Sequence, residues 1–433
     1  MNVQQQFQDA CKNGKLEEAK TLLINNPTIN VSTDDEDAFI LACGNGHLQV
    51  AQWLFSIKPT INVSADDEDA FQCACENGHL QVAQWLLSIK PTINVSAYDE
   101  YAFRWACDNG HLQVAQWLIS IKPTINVSAD NEYAFRWACE NGHLHVAQWL
   151  LSIIPTINVS ADNEYAFRWA CINGHLQVAQ WLLSIKPTIN VSAWNEYAFR
   201  WACINGHLQV AQWLLSIIPT INISACDEHA FELACTNGHL HVAQWLLSIK
   251  PTIDVSACDE EPFRLACSNG HLHVAQWLLS IKSTINVSAH DENAFRWACN
   301  NGHLHVAQWL LSIKPTINVS ASNEYAFRWA CINGHLQVAQ WLLSIKPTIN
   351  ISACDEHAFK LACDKGHLRV AQWLCSLKPF KYCIETNNNE LISWNVNNNK
   401  DKTVLSLLYC LTNKGYENKL NYELVTDIGT HLL

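Results

Sequence analysis

Asp162-Asn163-Glu164-Tyr165-Ala166-Phe167-Arg168-Trp169-Ala170-Cys171-Ile172-Asn173-Gly174-His175-Leu176-Gln177-Val178-Ala179-Gln180-Trp181-Leu182-Leu183-Ser184-Ile185-Lys186-Pro187 decides the fold. Phe167, Ala170 and Cys171 stand at i, i+3 and i+4, one apolar stripe of a helix. Asn163 is placed to cap that helix, with Glu164 in its first turn, where the helix dipole favours an anion. Asn173-Gly174 ends it, because glycine adopts the left-handed conformation a helix terminus needs. Val178, Trp181, Leu182 and Ile185 repeat the helical spacing, and Pro187 stops the second helix. Thr188-Ile189-Asn190-Val191-Ser192 reads as a short extended link into the next segment. The stretch therefore predicts two helices joined by a tight turn, followed by a projecting loop.

The same words recur along the chain. Asn-Gly-His-Leu places its glycine at 46, 78, 110, 142, 174, 206, 238, 270, 302, 334 and 366, and Asn13-Gly14-Lys15-Leu16 fits the same grid. The spacing is 32 residues without an insertion, so the expectation is an all-α solenoid of about twelve helix-turn-helix units. Residues 1–380 form that array, with 1–30 a polar terminal cap (Lys12, Lys15, Glu17, Glu18, Lys20) and 31–380 eleven further units. After Pro379 the grid breaks: 381–400 is an Asn-rich linker and 401–433 a short helical tail. In 433 residues, 27 Lys and Arg oppose 40 Asp and Glu, a net charge of −13, which argues against general nucleic-acid binding. No stretch approaches the ~18 apolar residues of a spanning helix, and the polar start Met1-Asn2-Val3-Gln4-Gln5-Gln6-Phe7 has no signal-peptide core. A cytoplasmic protein is expected.

The string Tyr-Ala-Phe-Arg-Trp-Ala-Cys-x-Asn-Gly-His-Leu-x-Val-Ala resembles the ankyrin repeat, whose pattern runs Thr-Pro-Leu-His-x-Ala-Ala-x-x-Gly-His-Leu-x-Val-Val. Each unit departs from it: Tyr-Ala usually replaces Thr-Pro, with Pro kept only at Pro262, and Arg replaces the first His, as at Arg168. The unit is one residue short of the family's 33. Such 32-residue, Trp-rich, nearly identical units resemble ankyrin arrays of large DNA viruses of amoebae, which implies a host-cell cytoplasmic setting. The resemblance also implies a structural role for the His after each glycine, from His47 to His367. It implies that partners meet the loop tips and the concave face.

Several residue types invite a chemical reading. Of 19 Cys, twelve occupy one grid position from Cys11 to Cys363, the family's core Ala. Neighbouring copies would lie about 8–10 Å apart, beyond the ~7 Å Cα limit of a disulfide. Buried free thiols, with no bound metal, and a reducing compartment are expected. His145, His241, His273 and His305 read as solvent-facing without a task. Ten Asn-Val-Ser or Asn-Ile-Ser sequons fall at the family's hairpin Asn, which resembles known targets of asparaginyl hydroxylation. Arg-Trp pairs such as Arg168-Trp169 each have Glu four residues before the Arg, a favourable helical ion pair. No phosphate loop, nucleophile elbow or zinc-protease motif occurs, so neither enzyme activity nor a cofactor is expected.

Three positions vary most between units: the loop tip, the residue three later, and the residue before Asn-Gly. Neutral drift after duplication and partner binding both account for variation there. If the positions bind, the surface is graded. An acidic end holds Asp34, Asp37, Asp66 and Asp69, and the middle offers Tyr101, Tyr133, Tyr165, Ile172, Trp194, Tyr197 and Ile204. That pattern predicts a protein partner with a basic segment and an apolar anchor, met by a monomer. No nucleic acid or membrane is involved. A second reading is a ubiquitin-ligase adaptor, because Leu420-Asn421-Tyr422-Glu423-Leu424 resembles the Leu-Pro-x-Glu-Ile opening of an F-box element.

Overall fold

The computed structural model describes residues 2–33 and 36–377. Asp34, Asp35 and the segment 378–433, with the expected linker, tail and Leu420–Leu424 motif, lie outside the described residues. Among these are 24 helices and no strand, from Val3–Lys12 to Leu368–Leu377. They alternate as helix A and helix B of twelve units; Ala161–Ile172 and Leu176–Ile185 are one pair. The chain divides into two compact bodies, Met1–Ala230 and Phe231–Leu433.

Each body is held by a row of fully buried phenylalanines on helix A, Phe7 to Phe199 in the first and Phe231 to Phe327 in the second. Within each body, from Phe7 to Phe167 and from Phe231 to Phe327, the ring leans on the helix-B tryptophan of the following unit, as Phe135 on Trp181 at 6.2 Å and Phe295 on Trp341 at 6.2 Å. Leu182 and Val178 are buried, but Trp181 is only half-buried and Ile185 is exposed. The second-helix stripe is thus narrower than its sequence period suggests, because only one side of helix B meets a neighbour. Small residues, Ala170 and Cys171 and their equivalents, sit where helices A approach closely. Cysteines 11 to 331 of the grid are buried free thiols, while Cys363 is half-buried. Burial disfavours the thiolate, so Cys11 is pushed up to about 12 and Cys171 higher still.

The link after helix B is two turns rather than an extended strand, with Ile189 N–H donating to Lys186 at 3.2 Å and Ala193 N–H to Asn190 at 3.1 Å. Such a link leads into three successive left-handed residues: Trp194, Asn195 and Glu196 after this one, and Asp162, Asn163 and Glu164, with φ of 53°, 53° and 64°, after the link before it. Asn163 is therefore no helix cap, and Glu164 points away from Arg168. Left-handed backbone is unfavourable for residues with a Cβ, least so for Asn and Asp, and the second position of the triplet is always one of those two. Arg168 supports the triplet by donating from Nε to Asn163 O at 2.8 Å and from a guanidinium NH2 to Asp162 O at 3.1 Å. The expected Glu-to-Arg helical pair is not formed. The glutamate reaches the following unit instead: Asn158 N–H donates to Glu132 at 3.3 Å, and Asn318 N–H to Glu292 at 3.2 Å.

The Asn-Gly-His turn joins units at the other edge. Gly142 has φ +81°, and a Cβ built on it would lie 2.5 Å from Nδ1 of His175 in the next unit. Asn173 Nδ2 donates to Glu140 O at 3.0 Å, across the same boundary. His145 and His305, expected to be idle, bring Nε2 within 3.3 and 3.2 Å of the carbonyls of Gly110 and Gly270.

Candidate protein-interaction surface

Tyrosine and tryptophan stand four residues apart on helix A, so they share one face. In the first body they interleave between units into a ribbon. Tyr101 to Trp105 is 5.6 Å, Trp105 to Tyr133 6.2 Å, Tyr133 to Trp137 5.3 Å and Trp137 to Tyr165 6.2 Å. Tyr165 to Trp169 is 5.7 Å and Tyr197 to Trp201 5.8 Å. The tyrosines were expected here. The tryptophans join them because the Tyr-to-Trp spacing of four, visible in the sequence, puts both rings on one helix face. The rings of Trp105, Trp137, Trp169 and Trp201 are partly exposed.

Arg104, Arg136 and Arg168 cross to the next unit, whereas Arg200 lies 5.8 Å over Tyr197 of its own. Arg104 lies 4.8 Å over Tyr133 and pairs with the tip Asp130 at 3.1 Å; Arg136 lies 4.9 Å over Tyr165 and pairs with Asp162 at 3.5 Å. At the next tip, tryptophan replaces aspartate, and Arg168 stacks 4.0 Å over Trp194. Trp194 also meets Tyr197 edge-on at 5.8 Å and remains 55% exposed. A tryptophan at the tip therefore does contribute to the stack: its ring takes over the carboxylate's hold on the arginine.

At most units the third variable position is not a surface, although Asp364 is exposed and Glu76 and Thr236 are half-buried. Ile172 and Ile204 are 3% and 2% exposed, and Asp108 and Glu140 are 4% and 8% exposed. Ile172 and Ile204 are core residues, corrected from the expected partner-binding set, because the residue before Asn-Gly turns under the next unit's helix A. Where it is acidic it can meet the second variable position of the next unit, although Tyr133, Tyr165 and Tyr197 follow Asp108, Glu140 and Ile172 alike. Tyr101 donates its hydroxyl to Glu76 at 3.0 Å and Tyr165 donates to Glu140 at 2.5 Å. Asp108, one methylene shorter, accepts from Asn141 at 2.6 Å instead. Burial pushes the Asp108 carboxyl up to about 6 against that hydrogen bond, and burial pushes Tyr133 up to about 12.

At the acidic end, Asp66 and Asp67 are exposed and Asp67 accepts from Tyr98 at 2.5 Å. Asp69 and Asp37 are less open: Asp69 accepts from the Cys73 thiol at 3.2 Å and Asp37 from Gln8 at 3.0 Å. In the second body the ribbon is shorter, Trp297 to Tyr325 at 6.1 Å and Tyr325 to Trp329 at 5.8 Å, with Arg296 5.0 Å over Tyr325. Leu233, Leu265 and Leu361 stand at the tryptophan position. Among the described residues no group of three or more His, Cys, Asp or Glu is placed to hold a metal. None of the helices there is long and apolar enough to cross a membrane.

Stacked helix pairs stitched edge to edge, with side-chain variety concentrated on one face, define a helical repeat scaffold. The model for ankyrin repeats (three copies) matches residues 7–99, 103–193, 169–259, 231–323 and 295–384. The chain belongs to the ankyrin-repeat family, whose members are generally protein–protein interaction modules. No curated protein matches it significantly.

Proposed function

We propose that the chain is a non-enzymatic scaffold that captures a protein partner on the loop tips and helix-A face of its first body. The aromatic ribbon from Tyr101 to Trp169, continued to Tyr197 and Trp201 through Arg168 lying 5.6 Å over Tyr197, carries this reading. Partly exposed Tyr, Trp and Arg side chains are the residue types that concentrate binding energy once a partner desolvates them, and here they are contiguous. Tyr101, Tyr133, Tyr165, Tyr197 and Trp194 are the anchors. Asp34, Asp37, Asp66 and Asp69 steer a basic segment toward them, as rim charges act on encounter more than on dissociation. Ile172 and Ile204 act from beneath, by setting the height of the helix above them. The Trp-rich 32-residue unit favours a viral protein directed at a host factor.

The test is capture from host cells followed by hydrogen-exchange footprinting of the complex. Protection is expected on helix A and the tips between residues 98 and 204, and Trp194→Ala should weaken the complex by about 2 kcal/mol. Protection confined to helices B, or unchanged affinity in Trp194→Ala and Tyr133→Ala alike, would overturn the assignment.

A further inference from the structure

We infer that the occupant of the first body's ribbon is an extended, basic, proline-rich segment in the polyproline II conformation, an inference that rests on the function proposed above. The ribbon is one ring wide and several units long, which suits a single extended strand of chain better than a globular face. Its period is one helix-packing distance, about 8–10 Å. A polyproline II helix turns once in three residues, about 9.3 Å, so one residue in three meets every unit in register. An α-helix repeats every ~5.4 Å, and a β-strand returns to the same face every ~6.6 Å; neither keeps step.

The chemistry agrees with the geometry. The indole N–H groups of Trp105, Trp137, Trp169 and Trp201 have no hydrogen-bond partner among the described residues. They form a row of donors, and polyproline II leaves its carbonyls unsatisfied and pointing outward. Rings flanking each indole offer the apolar slots that proline fills in aromatic-lined grooves. Arg104 and Arg136 already cover faces of Tyr133 and Tyr165, and successive rings are tilted by 25° to 52°. A flat sugar ring would find those platforms blocked, whereas a ridged peptide uses edges and clefts. Asp66, Asp67 and Asp99 are exposed beside the Tyr101 end and supply the charge complement for Arg or Lys. The net charge of −13 disfavours a nucleic-acid strand.

The experiment titrates the full chain, at physiological salt, with fluorescein-labelled (Arg-Pro-Pro)5 and (Arg-Gly-Gly)5, which carry equal charge but differ in conformation. Fluorescence anisotropy should show the proline peptide binding at least tenfold tighter. Trp137→Leu/Trp169→Leu should abolish that difference, and Trp297→Leu in the second body should change affinity less than twofold. Leucine is the residue the chain itself carries at 233 and 265, so the stack tolerates it; far-UV circular dichroism checks this, and Trp169→Leu alone is read should the double variant unfold. Equal binding of both peptides, binding of neither, indifference to the tryptophan changes, or tighter binding of a linear β-glucan oligosaccharide would each overturn the inference. If a captured partner still protects residues 98–204 while neither peptide binds, this inference fails and the scaffold assignment stands. If protection lies elsewhere, both fail.

Discussion

At the turn between helices, every full unit carries the same words, Asn-Gly-His or, once, Lys-Gly-His; at the loop tip the chain runs through Asp, Tyr, Trp, Cys, His and Ser. Both edges join neighbouring units, so contact alone does not explain the difference. At the turn, each side chain has one geometric solution. Gly142 must be left-handed and must also leave room for the His175 ring, and Asn173 must reach a carbonyl one unit back. At the tip, several chemistries reach the preceding unit: Asp130, Asp162 and Trp194 meet an arginine through a carboxylate or an aromatic face, while Tyr98 and Ser322 donate to Asp67 and Asp291. Uniformity follows where backbone is being satisfied, and variety where a surface charge is being met in more than one way.

The contrast is most sharply broken at the glycine. Gly142→Ala should lower stability by about 2–5 kcal/mol, from left-handed strain and overpacking against His175, read as a fall in the urea midpoint. Gly366 has φ +76° but nothing within 4 Å of a Cβ, so Gly366→Ala should cost only the strain, about 1–2 kcal/mol. Equal losses would show that the ring contact is idle. Ile172→Ala should cost about 2–4 kcal/mol as a core truncation, with partner affinity altered only through helix position. A loss of affinity without loss of stability would return Ile172 to the surface.

Acid should act on the turn edge next. Burial holds His79, His111, His143, His175, His271, His303 and His335 below the usual imidazole range. A lowered folded value means that the unfolded chain takes up the proton first. Stability is therefore full above about pH 6.5 and declines as pH falls through that value toward the folded ones. Asp108 has the opposite sign: its raised carboxyl binds a proton more readily when folded, which offsets part of the loss between about pH 6 and 4. Urea midpoints at pH 7.5, 6.5 and 5.5 should fall in that order, and more steeply in Asp108→Asn; a flat series would contradict the row's burial. The smallest effect belongs to the tip. Trp194→Ala should lower stability by about 0.5–1 kcal/mol through the lost Arg168 stack, and Trp194→Asp should restore part of it by recreating the ion pair seen at Asp130.

The 32-residue grid and the apolar spacing of Phe167, Val178 and Leu182 were enough to read the fold, because solenoid packing repeats one local solution. The candidate surface was half legible. Tyr101, Tyr133, Tyr165, Tyr197 and Trp194 are where variation and exposure coincide. Ile172 and Ile204 are variable yet buried, so variability alone does not mark exposure: their column packs under the next unit, where Glu140 meets the hydroxyl of the half-buried Tyr165. The Glu-to-Arg pairing failed for a backbone reason: three left-handed residues break the helical phase that an i, i+4 argument assumes, and nothing in Asp-Asn-Glu announces that turn.

The file of buried thiols has a use of its own. Cys11 to Cys331 place one reporter per unit, each shielded in the closed state, while Cys226 and Cys354 stand exposed as internal standards. A slow alkylating reagent with mass-spectrometric readout at each cysteine then measures how often each unit opens. The protein carries its own position-resolved clock of local unfolding, one that runs without a probe being introduced and tells fraying from the ends apart from opening in the middle.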